Sequence, residues 1–369
     1  MLKIKVLMLV PNLFVANGVA SFVMNYLRNL DHDEVQVDIA SYKEGTSIYY
    51  AEVENAGGKV FFLPGIRNLH EHVKVCNKIL SEGQYDIVHD NTLHISIPMM
   101  WRAKRKGISV RILHSHNAKM GETILKEMRN KLVLPVLRGL ATDFVACSDK
   151  AGKAMFGKSS FDIIPNVITT TRYNFDEDVR FEVREQMKAA DKFVVGTVGR
   201  LAEQKNPFFA MDVFECLQKQ VQNAEYWWVG SGPLEKSVQD YINQKGLSEN
   251  VRLLGSRDDV TDLYQGMDVF FLPSLFEGLP VTGVEAQAMG LPMVVSDAVT
   301  KEMVYTDLVY YVSLKSAKEI WAEHLIKVAE KKQNRINYVD NLRKSAFSDI
   351  GCGNRLEEIY RRFLDDKNG

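Results

Sequence analysis

Two series of short apolar runs, each run followed by an amphipathic segment, dominate this 369-residue chain and limit what it can fold into. The first series is Lys3–Val10, Val35–Ala40, Lys59–Leu63, Asp86–His89, Val110–Leu113, Asp143–Ala146 and Asp162–Ile164. Several runs are continuously apolar, the mark of parallel strands covered on both faces. Between them, segments such as Ala20–Leu30 and His70–Leu80 carry apolar residues at helical spacing. A repeated strand–helix alternation builds an α/β layered domain. The pattern breaks after Ile164, where Pro165-Asn166, a Thr-rich stretch and a charged stretch follow, so the linker is placed at about 165–170. The second series is Phe193–Val198, Glu225–Val229, Val251–Leu254, Asp268–Leu272 and Met293–Ser296, each with a helix after it. The expected architecture is two doubly wound parallel-sheet domains, 1–165 and 166–349. Asn354–Leu364 reads as helical, and a C-terminal helix at about 350–369 is expected to pack back on the first domain. Two such domains direct their strand C-termini, and hence their ligand crevices, at a shared cleft.

Charge and composition exclude several classes. The net charge of -1, with 46% hydrophobic and 25% charged residues, is that of a globular protein. It is neither a disordered chain nor a polybasic nucleic-acid wrapper. No apolar run reaches the ~18 residues that span a bilayer. Met1–Leu9 is interrupted by Lys3 and Lys5 and reads as a first strand rather than a signal peptide. Cys76, Cys147, Cys216 and Cys352 lie far apart, so the expectation is a reduced, cytoplasmic protein without a Cys-x-x-Cys pair. The near-zero balance hides an asymmetry: residues 1–166 carry a net +5 and residues 167–369 a net -6. Residues 101–138 hold ten basic residues against Glu122 and Glu127. There Trp101, Arg102, Lys104, Arg105 and Lys106 precede Ile124, Leu125, Met128 and Leu132 at helical spacing. A basic amphipathic helix of this kind docks on anionic lipid, although a solvated basic face over core residues gives the same pattern.

Three motifs fail on context. Gly152 to Ser159 matches the phosphate-loop pattern, but Ser148–Phe156 itself reads as a helix, on the wrong side of the loop. Asp31-His32-Asp33 and Asp176-Glu177-Asp178 match Asp-x-Asp, yet sit in a turn and in the linker, where solvated carboxylates are ordinary. His70 and His72 are spaced poorly for helix chelation. No three-glycine dinucleotide fingerprint follows the first strand, and Gly230-Ser231-Gly232 lacks the third glycine.

Two clusters are better placed. Arg200 and Lys205 follow the strand Phe193–Val198 and precede Asn206-Pro207, which reads as a helix N-cap and first helical residue. A guanidinium and an ammonium beside a helix N-terminus clamp a diphosphate; two solvated loop cations are the alternative. Glu277 falls in the loop after Asp268–Leu272, with Glu285 about one turn into the following helix. Carboxylates there suit sugar and ribose hydroxyls, and equally they are simply favoured by the helix dipole.

These clusters, Gly199-Arg200-Leu201 with Lys205-Asn206, and Glu277 with Glu285 followed by Ala286-Gln287-Ala288-Met289-Gly290-Leu291-Pro292, resemble the retaining glycosyltransferases of family 4 in their bacterial capsule and exopolysaccharide branch. The resemblance covers nearly the whole chain. It implies the GT-B fold, two Rossmann-like domains with a nucleotide-sugar donor in the cleft. It further implies transfer from a nucleotide diphosphate sugar, a UDP-sugar by family habit, to a hydroxyl of a glycan or lipid-linked saccharide. No metal and no cofactor are called for, and nucleic acid is not a partner. By the same resemblance Arg200 and Lys205 match the pair that neutralises the donor diphosphate. Glu277 matches the glutamate on the transferred sugar, and Glu285 the one on the ribose hydroxyls. Gly278 and Leu279 keep backbone donors where Pro280 has none. Gly18 matches a glycine loop near the diphosphate, with Asn17 standing where a second glycine is usual. His116 matches the histidine near the reacting sugar, with His114 second and Asn117 beside it on the acceptor side. The implied catalytic set is His116, Glu277, Arg200 and Lys205, acting by front-face attack with a donor phosphate oxygen taking the acceptor proton. A nucleotide-sugar 2-epimerase on the same fold and a non-catalytic sugar-nucleotide-binding protein are the competing readings. A NAD-dependent oxidoreductase would need the missing glycine fingerprint.

Overall fold

The computed structural model describes residues 3–14, 17–117, 121, 124–331 and 334–368. The chain divides into two compact units, residues 1–167 together with 349–369, and residues 168–348. In the first unit seven strands form one parallel sheet: β1 (Ile4–Val10), β2 (Val35–Ser41), β3 (Val60–Phe62), β4 (Ile87–Asp90), β5 (Val110–Ser115), β6 (Asp143–Ala146) and β7 (Asp162–Ile163). Their spatial order is β3-β2-β1-β4-β5-β6-β7. Val6 to Val10 are wholly buried, because helices cover both faces of the sheet. The second unit carries six parallel strands: β8 (Phe193–Val198), β9 (Ala224–Val229), β10 (Val251–Gly255), β11 (Val269–Leu272), β12 (Met293–Ser296) and β13 (Val309–Val312), in the order β10-β9-β8-β11-β12-β13.

Two differences from the sequence pattern bear on function. Strand β5 runs two residues further than its apolar run, so His114 is a strand residue and not a loop residue. The reason is burial: His114 and Ser115 are almost fully enclosed, and pairing with β6 continues through Ser115↔Ala146. Strand β13 has no counterpart among the expected strands. It is an edge strand of four residues, Val-Tyr-Tyr-Val, of which only Val312 is fully enclosed.

The helix Cys352–Asn368 belongs to the first unit. Leu356, Tyr360 and Phe363 join Phe22 and Tyr26 of the helix Gly18–Leu27 in one apolar cluster. The rejected motifs have ordinary local work. Gly152 lies within the helix Asp149–Phe156, ahead of Lys158 and Ser159. Asp31 accepts from the Asp33 backbone N–H at 2.9 Å, and Asp176 caps the helix Glu177–Gln186. His72 Nδ1 meets the Pro64 carbonyl at 2.5 Å. Among the described residues no group of three or more His, Cys, Asp or Glu side chains is placed to hold a metal ion.

Candidate active site

In an open parallel sheet a ligand crevice forms beyond the strand C-termini where the strand order reverses. In the second unit that point lies between β8 and β11, which are neighbours in space although β9 and β10 separate them in sequence. The segments leaving these two strands carry the candidate residues. Arg200 stands exposed just beyond β8, and Lys205 ends the short 3-10 turn Glu203–Lys205. Glu277 lies in the segment after β11. The reversal brings the two segments together: Lys205 Nζ donates to Glu277 Oε1 at 2.6 Å, and Gln204 Nε2 donates to Glu277 Oε2 at 3.0 Å. The Lys205 and Glu277 side chains are only 13% and 7% exposed, so the ammonium is paired and held rather than a loose loop cation.

Asn206 does not cap the next helix as its position implies. It adopts a left-handed conformation (φ 56, ψ 51) without a side-chain cap, and its Nδ2 donates to the Pro273 carbonyl at 3.3 Å. Asn tolerates that conformation, and here the side chain ties the β8 segment to the β11 segment instead. Gly230 and Gly232, after β9, buttress the same place. A Cβ at Gly230 would lie 2.4 Å from the Gly199 carbonyl oxygen, and one at Gly232 would lie 2.3 Å from that of Leu201. Only glycine lets β9's exit pack this closely on the segment bearing Arg200.

Gly278, Leu279 and Pro280 are buried between Glu277 and the helix Val281–Ala288. Glu285, one turn into that helix, has both oxygens engaged. Tyr173 OH donates to Oε1 at 2.6 Å and Tyr264 OH to Oε2 at 2.8 Å. Burial raises its pKa above the usual glutamate value, with the two phenols and then Arg172 and Lys205 acting in the other direction. The sequence offered no signal for Tyr173 or Tyr264, which are 112 and 21 residues from Glu285.

In the first unit the order reverses between β1 and β4. Beyond β1, Gly18 is the first residue of its helix, and Asn17 Oδ1 accepts from the N–H groups of Val19 and Ala20. Asn17 thus acts as an N-cap and satisfies two of the helix's free donors. A Cβ on Gly18 would meet nothing within 4 Å, so packing does not demand glycine there. One turn on, the Phe22 ring makes T-shaped contacts with the rings of His114 and His116, at centroid distances of 4.8 and 5.0 Å. The two imidazoles stack on each other at 4.0 Å. His114 Nδ1 meets His89 Nε2 at 3.0 Å, and His89 Nδ1 meets Tyr360 OH at 2.8 Å. His116 Nε2 meets Asn91 Oδ1 at 2.8 Å. Burial pushes His89 and His116 down to about 3 and His114 well below the usual histidine range. All three rings are neutral near pH 7 and act as donors or acceptors rather than cations. Asn117 is exposed beside them.

Comparison with known proteins identifies the family and the fold. Residues 16–172 match the family model described as Glycosyltransferase Family 4, and residues 178–345 the one described as Glycosyl transferases group 1. The chain is 31% identical over 326 residues to EpsF of Bacillus subtilis (strain 168), a protein named as a glycosyltransferase, covering 85% of this chain and 84% of that protein. It is 25% identical over 316 residues to the Escherichia coli UDP-Gal:alpha-D-GlcNAc-diphosphoundecaprenol alpha-1,3-galactosyltransferase, covering 80% and 79%. Among solved structures, Anabaena Alr3699/HepE in complex with UDP-glucose superposes with a TM-score of 0.80 at 18% identity, over 98% of this chain and 100% of that one. The chain belongs to the glycosyltransferases, and its two parallel-sheet units have the GT-B fold.

Proposed function

We propose that this protein is a retaining, family 4 glycosyltransferase of cell-surface polysaccharide synthesis. It transfers a sugar from a nucleotide diphosphate donor, a UDP-sugar first, to a hydroxyl of a glycan or lipid-linked saccharide, without a metal. The observation that carries the reading is the Lys205–Glu277 pair at the reversal between β8 and β11, with Arg200 leaving β8 beside it. Cleaving the sugar–phosphate bond leaves an oxocarbenium-like sugar and an anionic nucleoside diphosphate. Lys205 and Arg200 supply positive charge for the departing diphosphate, which is electrostatic catalysis. Glu277, already oriented by Lys205 and Gln204, accepts from a sugar hydroxyl, and the Gly278 and Leu279 amides donate to the sugar. Glu285 takes the ribose hydroxyls. In the first unit Gly18 lets the diphosphate approach its helix closely, and neutral His116, with His114 and Asn117, contacts the reacting sugar and the acceptor. The acceptor's proton passes to a donor phosphate oxygen on the face the leaving group vacates. The UDP donor and the lipid-linked acceptor are supported by the Escherichia coli relative's name, and the polysaccharide role by relatives named for capsular polysaccharide and amylovoran synthesis.

The acceptor side is proposed to work on an anionic membrane surface, with the protein peripheral on its cytoplasmic face. On the helix Ile124–Leu140, Leu125, Met128, Leu132 and Val136 are 81, 58, 78 and 52% exposed and share one helical face. The neighbouring helix Ile97–Arg105 adds exposed Trp101, with the Arg102 and Arg105 guanidiniums over its ring at 4.6 and 4.9 Å. Apolar side chains flanked by cations fit a lipid interface rather than a core. Among the described residues no helix is long and apolar enough to cross a membrane. Incubation with UDP-sugars, with and without a lipid-linked acceptor and with EDTA, tests the reaction. Acceptor-dependent, EDTA-resistant UDP release with the donor's anomeric configuration in the product is expected, whereas product without acceptor overturns transfer in favour of epimerisation or hydrolysis. Sedimentation with anionic vesicles, weakened by salt and by Leu125→Glu with Leu132→Glu, tests the surface; equal pelleting with neutral vesicles contradicts it.

A further inference from the structure

Asn91, directly after β4, is 5% exposed, and its backbone N–H donates to the Leu9 carbonyl of β1 at 3.1 Å, at the reversal point of the first sheet. Its two amide atoms have different neighbours. Nδ2 lies 3.4 Å from the His89 carbonyl oxygen, and the other atom lies 2.8 Å from His116 Nε2. A carbonyl oxygen can only accept, so the amide nitrogen must face His89 and the amide oxygen must face His116. That oxygen in turn can only accept, so His116 Nε2 carries the proton. A neutral imidazole has one protonated nitrogen, which leaves the lone pair on Nδ1. The ring cannot swing free, because Phe22 and His114 pack on it.

We propose that Asn91 is a positioning residue that holds His116 as its Nε2–H tautomer, so that Nδ1 is the atom offered to a sugar hydroxyl. His116 therefore accepts a hydrogen bond at the reacting sugar and does not donate one. A substrate or analogue with a bare acceptor, such as a deoxyfluoro group, in place of that hydroxyl is discriminated against. The proposal rests on the reading that His116 contacts the reacting sugar, and the experiment separates the two.

The test is heteronuclear NMR of histidine-15N-labelled full-length protein, which distinguishes a protonated from a lone-pair-bearing ring nitrogen, alongside steady-state kinetics of Asn91→Leu, Asn91→Asp and His116→Ala. Thermal melts identify any variant that fails to fold. The expected result is a protonated Nε2 and bare Nδ1 on His116 in the wild type. Asn91→Leu is expected to lose that bias and to lower kcat on the order of 10- to 100-fold with donor KM little changed, because the ring rather than the donor is displaced. Asn91→Asp keeps an acceptor toward Nε2 and is expected to retain the protonated Nε2, a rescue that a merely space-filling role for Asn91 would not produce. A His116 that carries its proton on Nδ1 in the wild type, or keeps it on Nε2 in Asn91→Leu, overturns the proposal. So does an Asn91→Leu kcat within twofold of wild type while His116→Ala is inactive. Full turnover by His116→Ala would instead overturn the placement of His116 at the sugar, whatever its tautomer.

Discussion

Replacing Lys205 by Met and Glu277 by Gln, singly and together, separates what the pair does for the fold from what it does for the reaction. The contact is 2.6 Å long and both side chains are largely enclosed, so it is a buried ion pair. Removing one member of such a pair costs about 3–5 kcal/mol, because the survivor is left charged and poorly solvated. Here Gln204 still donates to the Glu277 carboxylate, so Lys205→Met belongs at the lower end, near 3 kcal/mol. Glu277→Gln leaves the ammonium a neutral acceptor and should cost about 2 kcal/mol. The double variant buries no charge at all, so its loss should fall well below the sum of the two, giving a coupling of about 2 kcal/mol. Urea unfolding followed by tryptophan fluorescence measures this in the second unit, where Trp227, Trp228 and Trp321 are fully buried. All three variants should nevertheless lose UDP release by about 100-fold or more, since the double variant restores the fold's electrostatics without the chemistry's. Single variants within 0.5 kcal/mol of wild type, or a coupling below that, would refute the buried-pair reasoning. A double variant with near wild-type turnover would refute the pair's role in catalysis.

Two further outcomes are expected. Tyr173→Phe frees one oxygen of Glu285, which the ribose would otherwise have to win from the Tyr173 phenol, so UDP should bind about 3- to 10-fold more tightly by isothermal titration calorimetry; weaker binding would show that Tyr173 instead holds Glu285 in place. For pH, His89 and His116 have folded values near 3, below the ~6.5 of an unfolded histidine. The unfolded chain therefore binds more protons, and their contribution to stability is complete above about 6.5 and lost as pH falls from there toward 3. Asp90 works oppositely, because burial raises it to about 6 and its contribution is lost as pH rises from the unfolded carboxylate value through 6. Denaturant midpoints should fall on acidification below 6.5, and His89→Phe should flatten that fall; an unchanged slope would contradict neutral burial of His89.

Much of the fold is legible in the sequence because parallel strands are enclosed on both faces and stand out as unbroken apolar runs, Val6 to Val10 and Val269 to Leu272 among them. The exceptions have physical causes. Strand β13 is a short edge whose tyrosines stay partly in solvent, so its burial signal is diluted. His114 looks like the start of a loop because it is polar, yet it continues β5, where His89 links its ring to Tyr360 by hydrogen bonds and His116 stacks on it, in place of an apolar core. For the site, the strand C-ends are readable as positions, which brings Arg200, Lys205, Glu277 and Glu285 to notice. The pairings are not, because they span 72 residues for Lys205 with Glu277 and 112 for Tyr173 with Glu285, and depend on β8 lying beside β11. Asn206 misleads for the same reason: its cap position is local, but its side chain is claimed by Pro273 from the neighbouring strand's exit. The basic stretch after Arg102 leaves core face and exposed face equally open, and only the fold turns Leu125, Met128 and Leu132 outward. Ile124, expected on the same face, lies outside the described side chains.

The most direct measurement is UDP release from a UDP-sugar by wild type and by Arg200→Ala, Lys205→Ala and Glu277→Ala, each shown to be folded, with and without a lipid-linked saccharide acceptor. Release that depends on the acceptor in wild type, and that drops by about 100-fold or more in each variant, is the expected result. Near wild-type release in all three variants would contradict the site at the reversal between β8 and β11.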